Sequence, residues 1–191
     1  MPDKKQNFYE LLDVNPGATE EEIERAFRDK LYEYHPDHNP DKAEWAHIKT
    51  SEAVEAHRIL SEPIRRKIYN FMIFYPLKEK TKEYKFGIFQ GGDKKKYEEA
   101  MVYFNEGVEA FDMEKSKALL KFQQSFDTFK TAEAMYNMGV IYVSTNRLAD
   151  AIKVFNEAAK LDTENPSYER TSLKLQELIR EIDKAKKSAG A

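Results

Sequence analysis

The sequence predicts an all-α protein: a four-helix domain, then a short helical-repeat domain closed by a C-terminal capping helix. Three observations carry this. Apolar residues recur at three- and four-residue spacing along most of the chain. Charged residues make up 34% of the 191 positions, and only seven glycines and seven prolines interrupt them. That balance belongs to helices with solvated faces, not to a turn-rich fold. In the second half, a pair of helical stretches occurs twice at nearly the same period, the mark of a short solenoid.

Phe8 to Leu12 is a short helix, closed by Asn15-Pro16-Gly17. Thr19 and Glu22 form a capping box, and Glu20 to Glu22 place three acids at the positive end of the helix dipole. Ile23, Phe27, Leu31 and Tyr34 then keep helical spacing until Pro36 ends the run. Residues 35–40 are a polar loop. Asp41 with Glu44 reads as a second capping box, opening a helix to about Leu60 with Ala53, Ala56, Ile59 and Leu60 on its apolar side. Ser61 and Pro63 start a fourth helix through Tyr69 and Phe71.

Residues 73–96 read as a linker, because Pro76, Gly87 and Gly91-Gly92 interrupt a lysine-rich stretch. Its lysines, Lys78 to Lys85 and Lys94 to Lys96, read as solvated charge. Tyr84, Phe86, Ile88 and Phe89 are too apolar for a purely solvated segment and are expected to pack on a neighbouring domain.

Beyond it, Phe104-Asn105-Glu106-Gly107 recurs 32 residues later as Tyr136-Asn137-Met138-Gly139. Lys117 to Phe122 recurs 33 residues later as Asp150 to Phe155. A turn one residue shorter in the first copy would account for the difference. Residues 166–187 place Leu173, Leu175, Leu178, Ile179 and Ile182 on one amphipathic helix, which covers the end of the array.

Composition excludes several functions. There is no cysteine, hence no disulfide, thiolate zinc site or cysteine nucleophile. The formal net charge of -3 gives no global basic footprint for nucleic acid; only Tyr84 and Phe86 among the lysines point the other way. The polar first seven residues and the lack of a long apolar run predict a soluble, cytoplasmic chain without a membrane partner. No nucleophile-elbow, phosphate-loop or zinc-protease motif occurs, so no catalytic residue, enzyme activity or cofactor is expected. His35, Asp37 and His38, with His47 or His57, are metal-ligating types. They read instead as a polar loop and, for His57, a packing residue, so no metal is expected.

Phe8 to Leu12, the helix from Glu20 to Tyr34, the His35-Pro36-Asp37 triplet, Glu55-Ala56 through Leu60, and Arg65 to Tyr69 together resemble a J-domain, over residues 6–72. Residues 98–161 are similar to tetratricopeptide repeats, most closely from Tyr136 to Asp162 with Gly139, Tyr142, Ala151, Phe155 and Ala158. The expected domains are therefore 6–72, a 73–96 linker, and 97–187.

The resemblance implies a co-chaperone that binds a DnaK-type heat-shock chaperone and stimulates its ATPase. His35, Pro36 and Asp37 would be the activating loop. Arg25 and Arg28 match basic positions of the docking face, and Phe27 matches its aromatic. There are departures. Glu24, Asp29 and Glu33 stand where basic residues are common, so the interaction is either weak or made with a dedicated partner. Lys30 stands at an apolar core position. Thr50 and Ala53 replace a larger pair, whose space Trp45 or Ile48 is expected to fill. Arg65-Arg66-Lys67 forms a separate basic patch. The alternative is an interaction scaffold whose J-domain no longer activates.

In the repeats, Phe104, Val108, Phe111, Tyr136, Val140 and Val143 either line a concave groove for an unidentified protein or peptide, or are core between hairpins or covered by the C-terminal helix. A tyrosine at 136 favours the groove, since its hydroxyl can stay wet while the ring contacts a ligand. Asn137, with Asn105 at the matching position, resembles the asparagine of carboxylate-clamp repeats, and Arg170 matches a clamp arginine. Pro166 stands where the clamp lysine is expected, so the clamp is incomplete.

Overall fold

The computed structural model describes residues 6–82, 84 and 91–189. Phe86, Ile88 and Phe89 lie outside the described residues. The chain divides into two compact units, Met1–Tyr69 and Asn70–Ala191. Every regular element among the described residues is helical.

In the first unit, α1 (Phe8–Leu12) is held at both ends. The Asn7 side chain accepts from the Tyr9 and Glu10 amides at 3.0 Å, and Glu10 reaches back to the Asn7 amide at 3.0 Å. Asp13, in the left-handed region at φ 58°, ends the helix two residues before the expected turn. α2 (Glu20–Glu33) has the expected Thr19–Glu22 box. α3 (Ala43–Leu60) does not have its box. Pro40 starts a single 3-10 turn, Pro40–Lys42, which absorbs Asp41, and Lys42 caps the helix without a side-chain bond. α4 (Pro63–Phe74) is the fourth helix.

Tyr9, Leu11, Leu12, Ile23, Tyr34 and Leu60 form the core, with Ala53 and Ala56 wholly buried where α3 meets its neighbours. Trp45 and Ile48 do not fill the space beside Thr50 and Ala53. They are 41% and 52% exposed, and Trp45 touches Tyr34 only edge-on. Small residues there let the helix backbones close up, so no larger side chain is needed. The basic patch on α4 loses its middle member. Arg66 turns inward and donates to the Tyr9 hydroxyl and to the Pro16 and Ala18 carbonyls at 2.8–3.1 Å.

The second unit stacks α5 (Gly91–Ala110), α6 (Lys115–Thr128), α7 (Ala132–Ser144), α8 (Leu148–Leu161) and α9 (Ser167–Ala189). Residues 91–96, read from the sequence as linker, are the first turns of α5. The two hairpins share one packing device. A Cβ added at Gly107 would meet the Phe122 ring at 2.8 Å, and one at Gly139 would meet the Phe155 ring at 2.4 Å. In each hairpin the second helix presses a phenylalanine onto a bare stretch of the first. The one-residue difference in period is not a shorter turn. α5 ends six residues past Phe104 and α7 eight past Tyr136, while the first turn is four residues and the second three. The first copy has lost helix and gained turn.

Candidate functional site

Two places gather the sequence candidates: the loop after α2 and the inner face of α7.

The loop is fixed from within. Pro36 opens a 3-10 turn, Pro36–His38. The His35 Nδ1 accepts from the Asp37 amide at 3.1 Å, and His38 Nδ1 meets the Tyr32 carbonyl at 2.8 Å. Asn39 Nδ2 donates to the carbonyls of Glu33 and His35 at 2.8 and 2.9 Å. Thr50 on α3 donates to the Tyr34 carbonyl at 3.2 Å. These bonds occupy the carbonyls that the end of α2 leaves unpaired. The Asp37 carboxylate stays 86% exposed, with His35 Nδ1 at 3.6 Å. A rigid backbone thus presents an anionic group to solvent. Among the described residues, no group of His, Asp and Glu converges as a metal site would.

The α2 candidates differ from one another. Arg25 is exposed. Arg28 is 74% exposed and paired with Glu24 at 2.8 Å. Glu24 also meets His57 Nε2 at 2.8 Å. Hydrogen bonding from Arg28 first, and from His57 second, holds the Glu24 carboxyl below its usual range. Glu24 is therefore half committed to α3. Phe27 is no free aromatic: its ring stacks on His57 at 4.1 Å and 11°, and packs on the core. Lys30, at an apolar position, lays its stem inward and pairs with Glu33 at 2.8 Å, its ammonium over the Tyr34 ring. Its pKa is raised, chiefly by that Glu33 bond.

Residues 7–70 match the DnaJ domain family. Among relatives of this J-domain, mouse DnaJ homolog subfamily B member 2 is 42% identical over 64 residues, which is 34% of this chain and 20% of that protein. Chaperone protein DnaJ of Caldicellulosiruptor bescii is 48% identical over 67 residues, 35% of this chain and 17% of that protein. The same-named protein of Salinibacter ruber is 45% identical over 65 residues, 34% and 16%. The chain thus spans a fifth or less of the curated relatives it matches. Residues 132–165 match the tetratricopeptide repeat. Both matched families are co-chaperone or interaction modules. No solved structure matches the chain, and no described helix is long and apolar enough to cross a membrane.

The repeat candidates are mostly core, which overturns the open-groove expectation. Phe104, Tyr136, Val140 and Val143 are at most 3% exposed, and Val108 and Phe111 pack on the cluster containing Phe104 and Phe122. Tyr136 lies against Phe155 and Tyr168, and its hydroxyl is in a hydrogen bond with Thr171. Burial pushes its pKa up to about 12. The wet hydroxyl does not exist, because Tyr168 and Thr171 of α9 close on the Tyr136 ring and hydroxyl. Asn105 and Arg170 are exposed.

Asn137 is wholly buried and engaged. Its Oδ1 accepts from the Lys78 amide at 2.8 Å, and its Nδ2 donates to the Lys78 carbonyl at 2.9 Å. The partner is the chain's own segment, read from the sequence as solvated linker. Glu133 and Asp162, absent from the sequence candidates, also face it: Glu133 Oε1 accepts from the Lys82 amide at 2.9 Å, and Asp162 lies 3.3 Å from Lys82 Nζ. One signal was available. Lys78, Lys80 and Lys82 alternate with other residues at period two, the pattern of an extended segment with one basic face.

Proposed function

We propose that the chain is a co-chaperone: its J-domain docks on a DnaK-type chaperone and stimulates that chaperone's ATPase through His35, Pro36 and Asp37, while the repeats hold a protein partner. The observation that carries the reading is the Asp37 carboxylate, held outward on a loop whose other polar groups are bonded inward. An exposed carboxylate costs the partner little desolvation and can pair with a guanidinium or ammonium. Rigidity means that little loop entropy is lost on docking. Stimulation is then a coupling free energy: the J-domain must bind the partner's hydrolysis-competent state more tightly than its other state. The chemistry stays with the partner. Arg25 and Arg28 on α2 supply the cationic part of the docking face, with Arg28 weakened by its bond to Glu24.

The test is single-turnover ATP hydrolysis by a DnaK-type chaperone with wild-type protein and with Asp37→Asn. We expect wild type to accelerate hydrolysis and Asp37→Asn to abolish the acceleration with an unchanged helical signal. Equal stimulation by both would remove the loop from the mechanism. No stimulation by the wild type, with binding retained, would leave the scaffold reading.

A further inference from the structure

We propose that residues 77–82, with Tyr84, are a built-in occupant of the repeat groove, and that the groove's external ligand is a lysine-bearing peptide that must displace them. The proposal deepens the reading that the repeats bind a protein partner and rests on it.

The segment is bound as a peptide ligand would be. Both backbone groups of Lys78 pair with one buried side chain, Asn137. That contact reads main chain and is indifferent to sequence. Four residues on, the Lys82 amide pairs with Glu133. The Thr81 hydroxyl and the Tyr97 hydroxyl share a hydrogen bond of 2.6 Å, and Tyr97 also donates to the Lys82 carbonyl at 3.2 Å. Tyr84 closes the segment against the rings of Tyr97 and Phe129 at 5.2 and 5.4 Å.

Side-chain sites add the chemical preference. The Lys78 ammonium lies 5.1 and 5.7 Å from the ring centroids of Tyr136 and Tyr168, a cation held over two aromatic faces. Lys82 Nζ is 3.3 Å from Asp162 and 3.7 Å from Glu164. Three acids gathered around Lys82, namely Glu133, Asp162 and Glu164, repel an acidic peptide and attract a basic one. This is the reverse of a clamp for carboxylate tails.

The occupant also fits incompletely. Glu133 is 4% exposed, and its Oε2 has no hydrogen-bond partner. A cleft of about 430 Å³ opens there, lined by Lys78, Lys80 and Lys82 of the segment itself and by Glu133, Asp162 and Glu164 opposite. A buried carboxylate oxygen without a donor is costly. A ligand with one further cationic side chain would satisfy it, and the resident segment does not. The segment therefore acts as a displaceable placeholder. A tethered ligand has an effective concentration of about 1 mM. For an intrinsic Kd of about 0.1 mM, competition from the tether weakens an external peptide about tenfold.

The experiment uses the full chain and a fluorescein-labelled peptide of residues 75–84, read by anisotropy. In one variant residues 78–84 are replaced by a glycine–serine run of equal length; in another, Lys82→Glu sets like charge against Asp162 and Glu164. Melting by circular dichroism shows that each is folded. We expect the replaced chain to bind the peptide at least about tenfold more tightly than wild type, and Lys82→Glu to bind it several-fold more tightly. Adding Asn137→Ala to either should abolish binding, and an acidic peptide of equal length should not bind. Should the replaced chain fail to fold, the Lys82→Glu comparison decides alone. Equal binding by wild type and a folded variant, no binding by any folded variant, or preference for the acidic peptide would overturn the proposal. No chaperone is present in this assay, so its failure is separate from a failure of ATPase stimulation.

Discussion

In the loop after α2, the hydrogen bonds run from the loop back into its own helix, and Asp37 is left 86% exposed. On α7 the arrangement is inverted: Asn137 and Glu133 are buried, and their bonds run to the chain's own residues 78 and 82. Both places carry polar groups suited to recognition. One spends its internal bonds to hold a group outward, and the other spends its recognition groups on an internal ligand. Polar residues in a repeat groove therefore do not by themselves mark a vacant site. A buried amide needs partners, and a nearby stretch of chain supplies them as well as a foreign peptide would.

This contrast is broken most directly by truncation. Phe155→Ala and Tyr136→Ala should each cost about 3–5 kcal/mol, because both rings are buried, against each other and, for Tyr136, against Tyr168. Asp37→Asn should stay within about 0.5 kcal/mol, as exposed substitutions do. Urea titration of the three variants checks this. A neutral Tyr136→Ala would restore the open groove and undo the comparison.

Arg66 sharpens it on the J-domain side. Its guanidinium braces α1 and the following turn through three hydrogen bonds. Arg66→Ala should cost about 1–3 kcal/mol by leaving those groups unpaired, and Arg66→Lys should recover only part, since an ammonium lacks the planar fork. If Arg66→Ala were neutral in urea, α4 would be an exposed basic face after all.

Alkaline pH tests the burial in the repeats without mutation. Burial raises the Tyr84 and Tyr136 hydroxyls to about 12, from about 10 in an unfolded chain. A raised pKa means that the fold favours the protonated form. The stabilisation is complete below pH 10 and is lost as pH rises through about 12. The stability of the repeats in urea should fall as pH rises from about 10 to about 12, by up to about 2.7 kcal/mol for each of the two hydroxyls, and Tyr84→Phe should flatten that fall. A midpoint constant over this range would mean that neither hydroxyl is desolvated.

The smallest effect distinguishes the two arginines. Arg25→Ala should weaken chaperone docking more than Arg28→Ala, because Glu24 already offsets the Arg28 charge. Each should amount to about 0.2–1 kcal/mol, and both should fade at 1 M salt, where screening sets in at about 3 Å. Titration at two salt concentrations checks the order. The reverse order would show that Glu24 lets go of Arg28 on docking.

Local chemistry was legible in the sequence. Thr19–Glu22 capped α2 as read, because both partners of that box lie within four residues. The Asp41–Glu44 box failed because Pro40 made a competing turn, a choice between two local structures that composition does not rank. The Gly–Phe device of each hairpin was visible as a repeat, since its two members recur with the period. For Tyr136 the sequence leaves a groove and cover by the terminal helix both open, because the residues that decide between them, Tyr168 and Thr171, lie on α9. That the backbone of Lys78 and Lys82 is bound is not legible locally, because the partners Asn137 and Glu133 are 59 and 51 residues distant.

By itself, then, the sequence determined the helices, the His35-Pro36-Asp37 loop and the repeat, all of them encoded by spacing and by caps acting within a few residues. Only the tertiary structure decided which polar side chains face water and which face the chain itself. Hydrogen-bond satisfaction of a buried group depends on what long-range packing brings beside it, and the pattern of one segment contains no record of that.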